Sequence, residues 1–283
     1  MPTGALIPDG MVQRLRAAGC VFAEAEARLL AEAAGTAEEL EAMLERRISG
    51  LPLEPILGWV EFCGRRLAVG PGVFIPRRRT EFLARQAIAF AAERPAVASD
   101  RPPAASGRTP AASGRTTAAA VVVELCCGVA AVAATVAAEL AGTELYAADI
   151  DPVATVYARR NLGPAGSVFE GDLYAALPRH LRGRVRVLAA NAPYVPTAEI
   201  ALMPPEARLH EAMAALDGGA DGLDVQRRIA AEAPGWLAPG GCLLVETGKR
   251  QSPVTAAIFA ESGLTPRILS SSALDATVVV GLL

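Results

Sequence analysis

Short apolar runs alternate with helical patterns through the second half of the chain. The runs predict strands at 119–125, 144–150, 167–173, 185–190 and 242–248, with a helix after most of them. Repeated βα units indicate a mostly parallel sheet with helices on both faces. Two more apolar stretches, 266–271 and 276–283, have no helical pattern between them and are predicted to pair antiparallel at one edge. The pattern therefore predicts an α/β fold with a doubly wound, mostly parallel, seven-stranded sheet.

The first part of the chain has a different pattern. Apolar residues at helical spacing within 11–48, with Thr36 and Glu39 as an N-terminal capping pair, predict a small helical domain at 1–50. Its role in recognition stays open at this stage. Glycine-punctuated alternation predicts a β-hairpin connector at 51–80, and Thr80 is predicted to cap the next helix. The main domain is then 81–283, with a low-complexity insert at about 95–119.

The composition of the chain disfavours nucleic acid, a membrane and a metal ion as binding partners. The chain carries 27 basic and 30 acidic residues, so no basic excess favours nucleic acid as a direct substrate. No run approaches the ~18 apolar residues of a membrane span. Five cysteines without regular spacing indicate reduced thiols and a cytoplasmic protein. The adjacent Cys126 and Cys127 lack a CxxC pair or a histidine cluster, so no metal site is predicted.

Candidate chemistry follows the strand at 185–190, which leads into Asn191, Ala192, Pro193 and Tyr194. Ligands of open α/β sheets bind at the carboxyl ends of strands. The Asn191 side chain offers a carbonyl acceptor, Pro193 offers a backbone carbonyl without an N–H, and Tyr194 adds a flat face. Two acceptors beside a ring suit a planar group that bears an NH₂. A simple turn after a strand is the alternative interpretation.

A second group of residues predicts a nucleoside site. Gly128 follows the first main-domain strand and permits close approach of a ligand to a helix N-terminus. Asp149 ends the next strand, where a carboxylate accepts from ribose hydroxyls, and Asp172 follows the third, where it could hold an adenine amino group. The G-x-G-x-x-G of dinucleotide sites is absent, which disfavours a dehydrogenase. Helix capping by Asp149 and Asp151, and a turn at Asp172, are the alternatives. Likewise, the arginines at 77–79 have two interpretations. They either bind an anion, such as the acidic end of a cofactor, or form a basic cluster exposed to solvent.

Several segments resemble the protein-(glutamine-N5) methyltransferase family, which modifies release factors. They are EPILGWVEFCG, GVFIPRRRTE, ELCCG, ADIDP, GDL, NAPY and ALDGGADGLDVQRRI, and the resemblance that they carry extends over nearly the whole chain outside the insert. The resemblance implies a class I S-adenosylmethionine-dependent methyltransferase fold, S-adenosylmethionine as cofactor, and a glutamine of a release factor or similar protein as methyl acceptor. It implies that Asn191, Pro193 and Tyr194 form the acceptor site. The implied cofactor residues are Glu124, Cys126, Gly128, Asp149, Ile150, Asp172, Leu173 and Asn191.

The chain departs from the family pattern at several positions. The first loop of the family carries three glycines, where this chain has Cys126, Gly128 and Ala130. The Cβ of Ala130 is therefore expected to approach the cofactor. Ala192 replaces a proline of the family motif, and Met213 stands where the family has arginine. These departures keep two alternatives open. One is an N-methyltransferase for another planar amide or amine, either a biosynthetic small molecule or a nucleobase. The other is a non-catalytic binding module that has lost cofactor affinity.

Overall fold

The computed structural model describes residues 7–8, 10–93 and 119–283, so the insert predicted at about 95–119 lies almost wholly outside the described residues. The strands are β1 (Trp59–Phe62), β2 (Arg65–Ala68), β3 (Val121–Leu125), β4 (Glu144–Asp149), β5 (Gly166–Glu170), β6 (Val185–Ala190), β7 (Leu237–Glu246), β8 (Thr265–Ser271) and β9 (Ala276–Leu282). The helices are α1 (Met11–Ala17), α2 (Ala23–Ala33), α3 (Ala37–Ile48), α4 (Leu53–Leu57), α5 (Thr80–Ala92), α6 (Ala131–Glu139), α7 (Pro152–Leu162), α8 (Pro205–His210), α9 (Asp224–Glu232) and α10 (Ser252–Glu261).

A seven-stranded sheet has the order β5-β4-β3-β6-β7-β9-β8. Its first five strands in this order pair in parallel, and β9 pairs antiparallel with both β7 and β8. The predicted doubly wound, mostly parallel sheet is therefore confirmed, including the antiparallel pair at one edge. Helices on both faces bury the central strands, which explains why β3 reads as an uninterrupted apolar run apart from Glu124.

The two faces of the sheet have separate cores. Alternate residues of β3 point to opposite faces, with Val122 in one core and Val123 in the other. The first core takes side chains from α5, α6 and α7, among them Leu83. The second takes Ile229 of α9 and Phe259 of α10. This layering holds the ends of the strands in fixed positions, and the site depends on those ends.

The strand order reverses between β3 and β6. The chain runs outward from β3 through β4 to β5 on one side, and from β6 to β7 on the other. In such sheets a crevice opens at the carboxyl ends of the strands where the order reverses. Leu125 at the end of β3 pairs with Ala190 at the end of β6. The loops that begin at Cys126 and Asn191 are therefore neighbours.

The N-terminal helices have their own apolar cluster, which includes Leu15, Leu30 and Leu44. Thr36 caps α3 as predicted, because its hydroxyl oxygen accepts from the backbone N–H of Glu39 at 3.1 Å. An ion pair links these helices to the rest of the chain. Arg47 of α3 is buried between Glu26, at 2.6 Å, and Glu206 of α8, at 2.7 Å.

Two local predictions are wrong. The connector is a hairpin only across β1 and β2, since the helix α4 precedes it; Leu53, Ile56 and Leu57 are spaced as on a helix, and Gly58 ends it with φ 81°. Thr80 does not cap α5, because it is the first residue within that helix, and the N-cap residue is Arg79. None of the helices in the described ranges has both the length and the hydropathy needed to cross a bilayer.

Candidate active site

A cavity of about 430 Å³ opens at the carboxyl edge of the sheet. The loops after β3, β4, β5 and β6 line it, together with the start of α5 and the segment 212–217. All the residues predicted for the acceptor and cofactor sites line this one cavity: Glu124, Cys126, Gly128, Asp149, Ile150, Asp172, Leu173, Asn191, Pro193 and Tyr194. The structure thus brings together residues that lie up to 70 positions apart in the sequence, from Glu124 to Tyr194.

The loop between β3 and α6 has a left-handed backbone at three alternate positions. The φ angles are 50° at Cys126, 54° at Gly128 and 60° at Ala130. Glycine adopts this conformation freely, whereas a residue with a Cβ pays about 1–2 kcal/mol. The three positions at which the family has glycine are thus the three with a left-handed backbone. Cys126 and Ala130 adopt this conformation at the energetic cost of their Cβ atoms. Ala130 is fully buried and does not line the cavity, which differs from the expectation that its Cβ approaches the cofactor.

Glu124 holds the loop between β3 and α6 in place. Its carboxylate oxygens accept from the backbone N–H groups of Val132 at 3.3 Å and Ala133 at 2.7 Å, in the first turn of α6. Because Ala130 at the N-cap of α6 has no side-chain acceptor, Glu124 satisfies donors that would otherwise be unpaired. Burial raises the pKa of Glu124 to about 8, although the two backbone hydrogen bonds act in the opposite direction. Glu124 is also only 4% exposed, so its main role is to hold the loop.

Asp149 is placed to bind a diol. Oδ2 accepts from the Gly128 N–H at 2.7 Å, and Oδ1 accepts from the Asp151 N–H at 2.9 Å. Each carboxylate oxygen has a further lone pair for a ligand hydroxyl. Burial raises the pKa of Asp149, and these backbone donors oppose the rise. Asp151, not Asp149, caps α7, because Val153 N–H donates to Asp151 Oδ1 at 2.8 Å.

Two features beside Asp149 suit a nucleoside. A Cβ built on Gly128 would meet no protein atom within 4 Å, so the space above this residue is open to a ligand. Ile150 is 58% exposed, which is unusual for a large apolar side chain and gives the cavity an apolar wall. Asp172 is half-exposed and already pairs with Arg228 of α9 at 2.7 Å. These residues could hold the nucleoside part of S-adenosylmethionine, with the Asp149 oxygens as acceptors for ribose hydroxyls.

Asn191 has a defined orientation. Its Nδ2 group donates to the hydroxyl oxygen of Thr80 at 3.3 Å. Since the NH₂ end faces Thr80, the carbonyl Oδ1 is the end left to accept from a ligand. Thr80 is buried, and its contact with Asn191 explains why this hydroxyl does not cap α5. Sequence reasoning missed this role because the two residues are 111 positions apart.

The glycine-rich segment 215–222 packs directly on the acceptor loop. Val195 N–H donates to Leu216 O at 3.1 Å, and Gly218 N–H donates to Val195 O at 2.9 Å. A Cβ on Gly218 would lie 2.7 Å from Pro193 O, and one on Gly222 would lie 2.3 Å from Tyr194 O. Only glycine permits such close approach of two backbones. The segment 215–224, ALDGGADGLD, therefore packs against the acceptor loop at 193–195 and holds it in place.

Two of the three arginines at 77–79 pair with buried carboxylates. Arg77 Nη2 lies 2.6 Å from Glu211 Oε1, and Arg79 Nε lies 3.1 Å from Glu246 Oε1. Neither the anion-site interpretation nor the solvated-cluster interpretation describes these pairs. The Arg79 guanidinium also lies 5.7 Å from the centre of the Tyr194 ring. Glu211 and Glu246 were missed, although a lone carboxylate at the end of the apolar run 242–246 is a usable signal.

Comparisons with known proteins give the family of the chain. No family model matches the chain. The release factor glutamine methyltransferase of Geobacter sulfurreducens is 34% identical over 80% of this chain and 72% of its own length. The 4-amino-L-phenylalanine/4-methylamino-L-phenylalanine methyltransferase of Streptomyces pristinaespiralis is 32% identical over 78% of this chain and 69% of its own. A crystal structure of ribosomal protein L11 methylase from Lactobacillus delbrueckii is 12% identical, with a TM-score of 0.47, and covers 72% of this chain and 78% of its own. From the first of these likenesses, the chain belongs to the release factor glutamine methyltransferase family.

Proposed function

We propose that the chain transfers a methyl group from S-adenosylmethionine to the side-chain amide nitrogen of a glutamine in a peptide chain release factor. The observation that carries this proposal is the orientation of Asn191, whose NH₂ is held by Thr80 while its carbonyl is left for a ligand. Family membership supports the reaction, and the names of relatives such as the Geobacter sulfurreducens enzyme support the substrate.

The cofactor would lie along the loops after β3, β4 and β5. Its sulfonium group supplies an activated methyl group. Asp149 would accept hydrogen bonds from the ribose hydroxyls, and the open space above Gly128 would accommodate a neighbouring part of the cofactor. Ile150 and Leu173 would provide apolar contacts for the purine, and Asp172 would accept from its amino group through the lone pairs that Arg228 leaves.

The acceptor amide would lie between Asn191 and Pro193. An amide nitrogen is a poor nucleophile because its lone pair is delocalised into the carbonyl group. Asn191 Oδ1 and the backbone carbonyl of Pro193 would accept its two N–H bonds and fix its direction, which lowers the entropic part of the barrier. The same two oxygens would stabilise the positive charge that develops on nitrogen during transfer. Tyr194 would cover one face of the planar group.

A second candidate substrate is a small aromatic amine. The Streptomyces pristinaespiralis relative is named for such a substrate. Met213 lines the cavity and is 55% exposed, and at this position the family pattern carries arginine. Without that guanidinium, the mouth of the cavity is less polar and suits an apolar ring. An aryl amine offers the same planar NH₂ to Asn191, so the two substrates share one chemistry.

We also propose the organisation of the chain and its setting. Residues 1–50 would form a separate helical domain, 51–80 a connector, and 81–283 the methyltransferase domain. The separate apolar cluster of the N-terminal helices supports a helical domain, and Ile56 of α4 extends that cluster past residue 50. Because release factors act in translation, the enzyme would work in the cytoplasm on a protein partner, with nucleic acid disfavoured as a direct substrate by the near-balanced charge.

Mass spectrometry of the acceptor tests this proposal. The chain is incubated with S-adenosylmethionine and either a release factor or 4-aminophenylalanine, and the mass gain of one methyl group is located. Asn191→Ala should lower turnover by ~10² or more while cofactor affinity, measured by calorimetry, persists. Asn191→Asp keeps an acceptor oxygen and should retain part of the activity. If only 4-aminophenylalanine is methylated, the substrate is the aromatic amine and not the release factor. If both variants methylate at the parental rate, the role of Asn191 is refuted.

A further inference from the structure

A buried carboxylate lies directly behind the acceptor loop. Glu246 ends β7, and the preceding residue, Val245, pairs with Ala190, so Glu246 is level with Asn191 on the neighbouring strand. The side chain of Glu246 is only 2% exposed. It does not line the cavity. It is therefore placed to act on the site through other residues and not by touching the substrate.

The contacts of Glu246 join two parts of the acceptor site. Oε1 accepts from Arg79 Nε at 3.1 Å and from the Tyr194 hydroxyl at 3.5 Å. Oε2 has no hydrogen-bond partner among the residues that the structure describes. Arg79 is the N-cap residue of α5, and the next residue, Thr80, accepts from Asn191 Nδ2. One carboxylate thus connects the aromatic face of the site with the hydroxyl that orients its amide.

We propose that Glu246 is a positioning residue for methyl transfer, which holds Arg79 and Tyr194 in place so that Thr80 orients Asn191. This inference rests on the proposed function. The N-cap of α5 has no side-chain hydrogen bond to the helix, and the ion pair with Glu246 is the contact that holds the side chain of the N-cap residue, Arg79. A negative charge near a helix N-terminus also interacts favourably with the helix dipole. Loss of this charge leaves the start of α5, and with it Thr80, less constrained.

The charge of Glu246 is the element of this network that can change with pH. Burial raises the pKa of Glu246, while the Thr80 hydroxyl, Arg79 and Tyr194 oppose the rise. The titratable groups that face it are Arg79 from α5 and Tyr194 from the loop after β6. Both keep their protons, because the pKa of Arg79 is raised and burial raises that of Tyr194 to about 12. Acidification therefore removes the charge of Glu246 in this network and releases Arg79.

The test compares Glu246→Gln with Glu144→Gln. Glu144 also pairs with an arginine, Arg184, but both side chains are exposed and lie at the start of a strand, away from the cavity. With a glutamine-bearing release factor as substrate, Glu246→Gln should lower kcat about ten- to a hundredfold, the scale for a misplaced catalytic group. The affinity for S-adenosylmethionine should stay at the wild-type value. The acidic limb of the kcat profile should be present in wild type and Glu144→Gln and absent in Glu246→Gln.

Glu246→Asp guards against loss of folding in the glutamine variant. It keeps the charge on a shorter side chain, so it should recover part of the rate and retain an acidic limb. If Glu246→Gln has the wild-type kcat and the wild-type acidic limb of the pH profile, the inference is overturned and the proposed function remains intact. An Asp variant without an acidic limb also overturns it. Failure of the wild-type chain to methylate glutamine overturns the proposed function, and the inference falls with it.

Discussion

Replacement of Gly218 by alanine tests whether the glycine-rich segment holds the acceptor loop. Gly218 has no left-handed backbone, so alanine meets no conformational penalty there. Its Cβ would, however, lie 2.5 Å from Gly222 O and 2.7 Å from Pro193 O. Ordinary contacts of a Cβ begin at 3.4 Å, so the distances to both carbonyl oxygens must increase by several tenths of an ångström. The Pro193 carbonyl is the group that we place beside the acceptor nitrogen.

The displacement has a calculable scale. Overpacking of this kind costs about 1–3 kcal/mol of folding free energy. A shift of about 1 Å in a reacting geometry costs up to ~10² in rate, so a smaller shift should lower kcat about tenfold. The affinity for S-adenosylmethionine should not change, because Gly128 and Asp149 lie on other loops. Gly235→Ala is the matched control, since a Cβ there meets no atom within 4 Å and the residue has no left-handed backbone.

The assay combines three measurements on both variants. Urea unfolding gives stability, calorimetry gives cofactor affinity, and mass spectrometry of a release factor gives the methylation rate. Gly218→Ala should lose stability and turnover while Gly235→Ala retains both. A parental rate and stability in Gly218→Ala would show that the loop tolerates the contact. The argument that the segment holds Pro193 would then be refuted.

Three further changes test individual carboxylates and the strained loop. Asp149→Ala should weaken S-adenosylmethionine binding by roughly 1.5–3 kcal/mol, measured by calorimetry, while Asp151→Ala should affect only the cap of α7. Ala130→Gly should relieve a left-handed alanine and raise the free energy of unfolding by about 1 kcal/mol, with unchanged cofactor affinity because Ala130 is outside the cavity. Burial raises the pKa of Glu124 to about 8, so the folded chain holds a proton that the unfolded chain releases. Stability should therefore fall as pH rises from about 5 to 8, with a limiting slope of about 1.4 kcal/mol per pH unit, and urea unfolding of Glu124→Gln should show a smaller fall.

Much of the fold follows from local pattern. The apolar runs of the main domain are of strand length and are separated by helical patterns, so the parallel sheet is predictable from the sequence. The helix α4 is not, because LEPIL is short, contains Pro55, and lies among glycines that favour a hairpin. Its helical conformation depends on packing of Ile56 into the N-terminal cluster. That contact is tertiary, and the helical spacing of three apolar residues within five is too short to distinguish a helix from a turn.

The candidate site divides in the same way. Its residues lie in one cavity because they follow neighbouring parallel strands, which is a general rule of such sheets. The sequence does not show which carboxylates are free to bind a ligand. Glu124 and Asp149 both follow the pattern and each accepts two backbone N–H bonds, yet Glu124 is buried against α6 while Asp149 is partly exposed at the cavity. The partner of Thr80 lies 111 positions away, and nothing local to Thr80 indicates it.

The position of β9 has a consequence for how the chain is made. This strand follows β8 in the chain but lies between β7 and β8 in the sheet, where Val278, Val279 and Val280 are fully buried. Domains fold from the N-terminus during synthesis. Until β9 leaves the ribosome, β7 presents an open apolar edge, which is a template for pairing with other chains. The nascent chain is therefore open to strand pairing with other chains until β9 is available to cover β7.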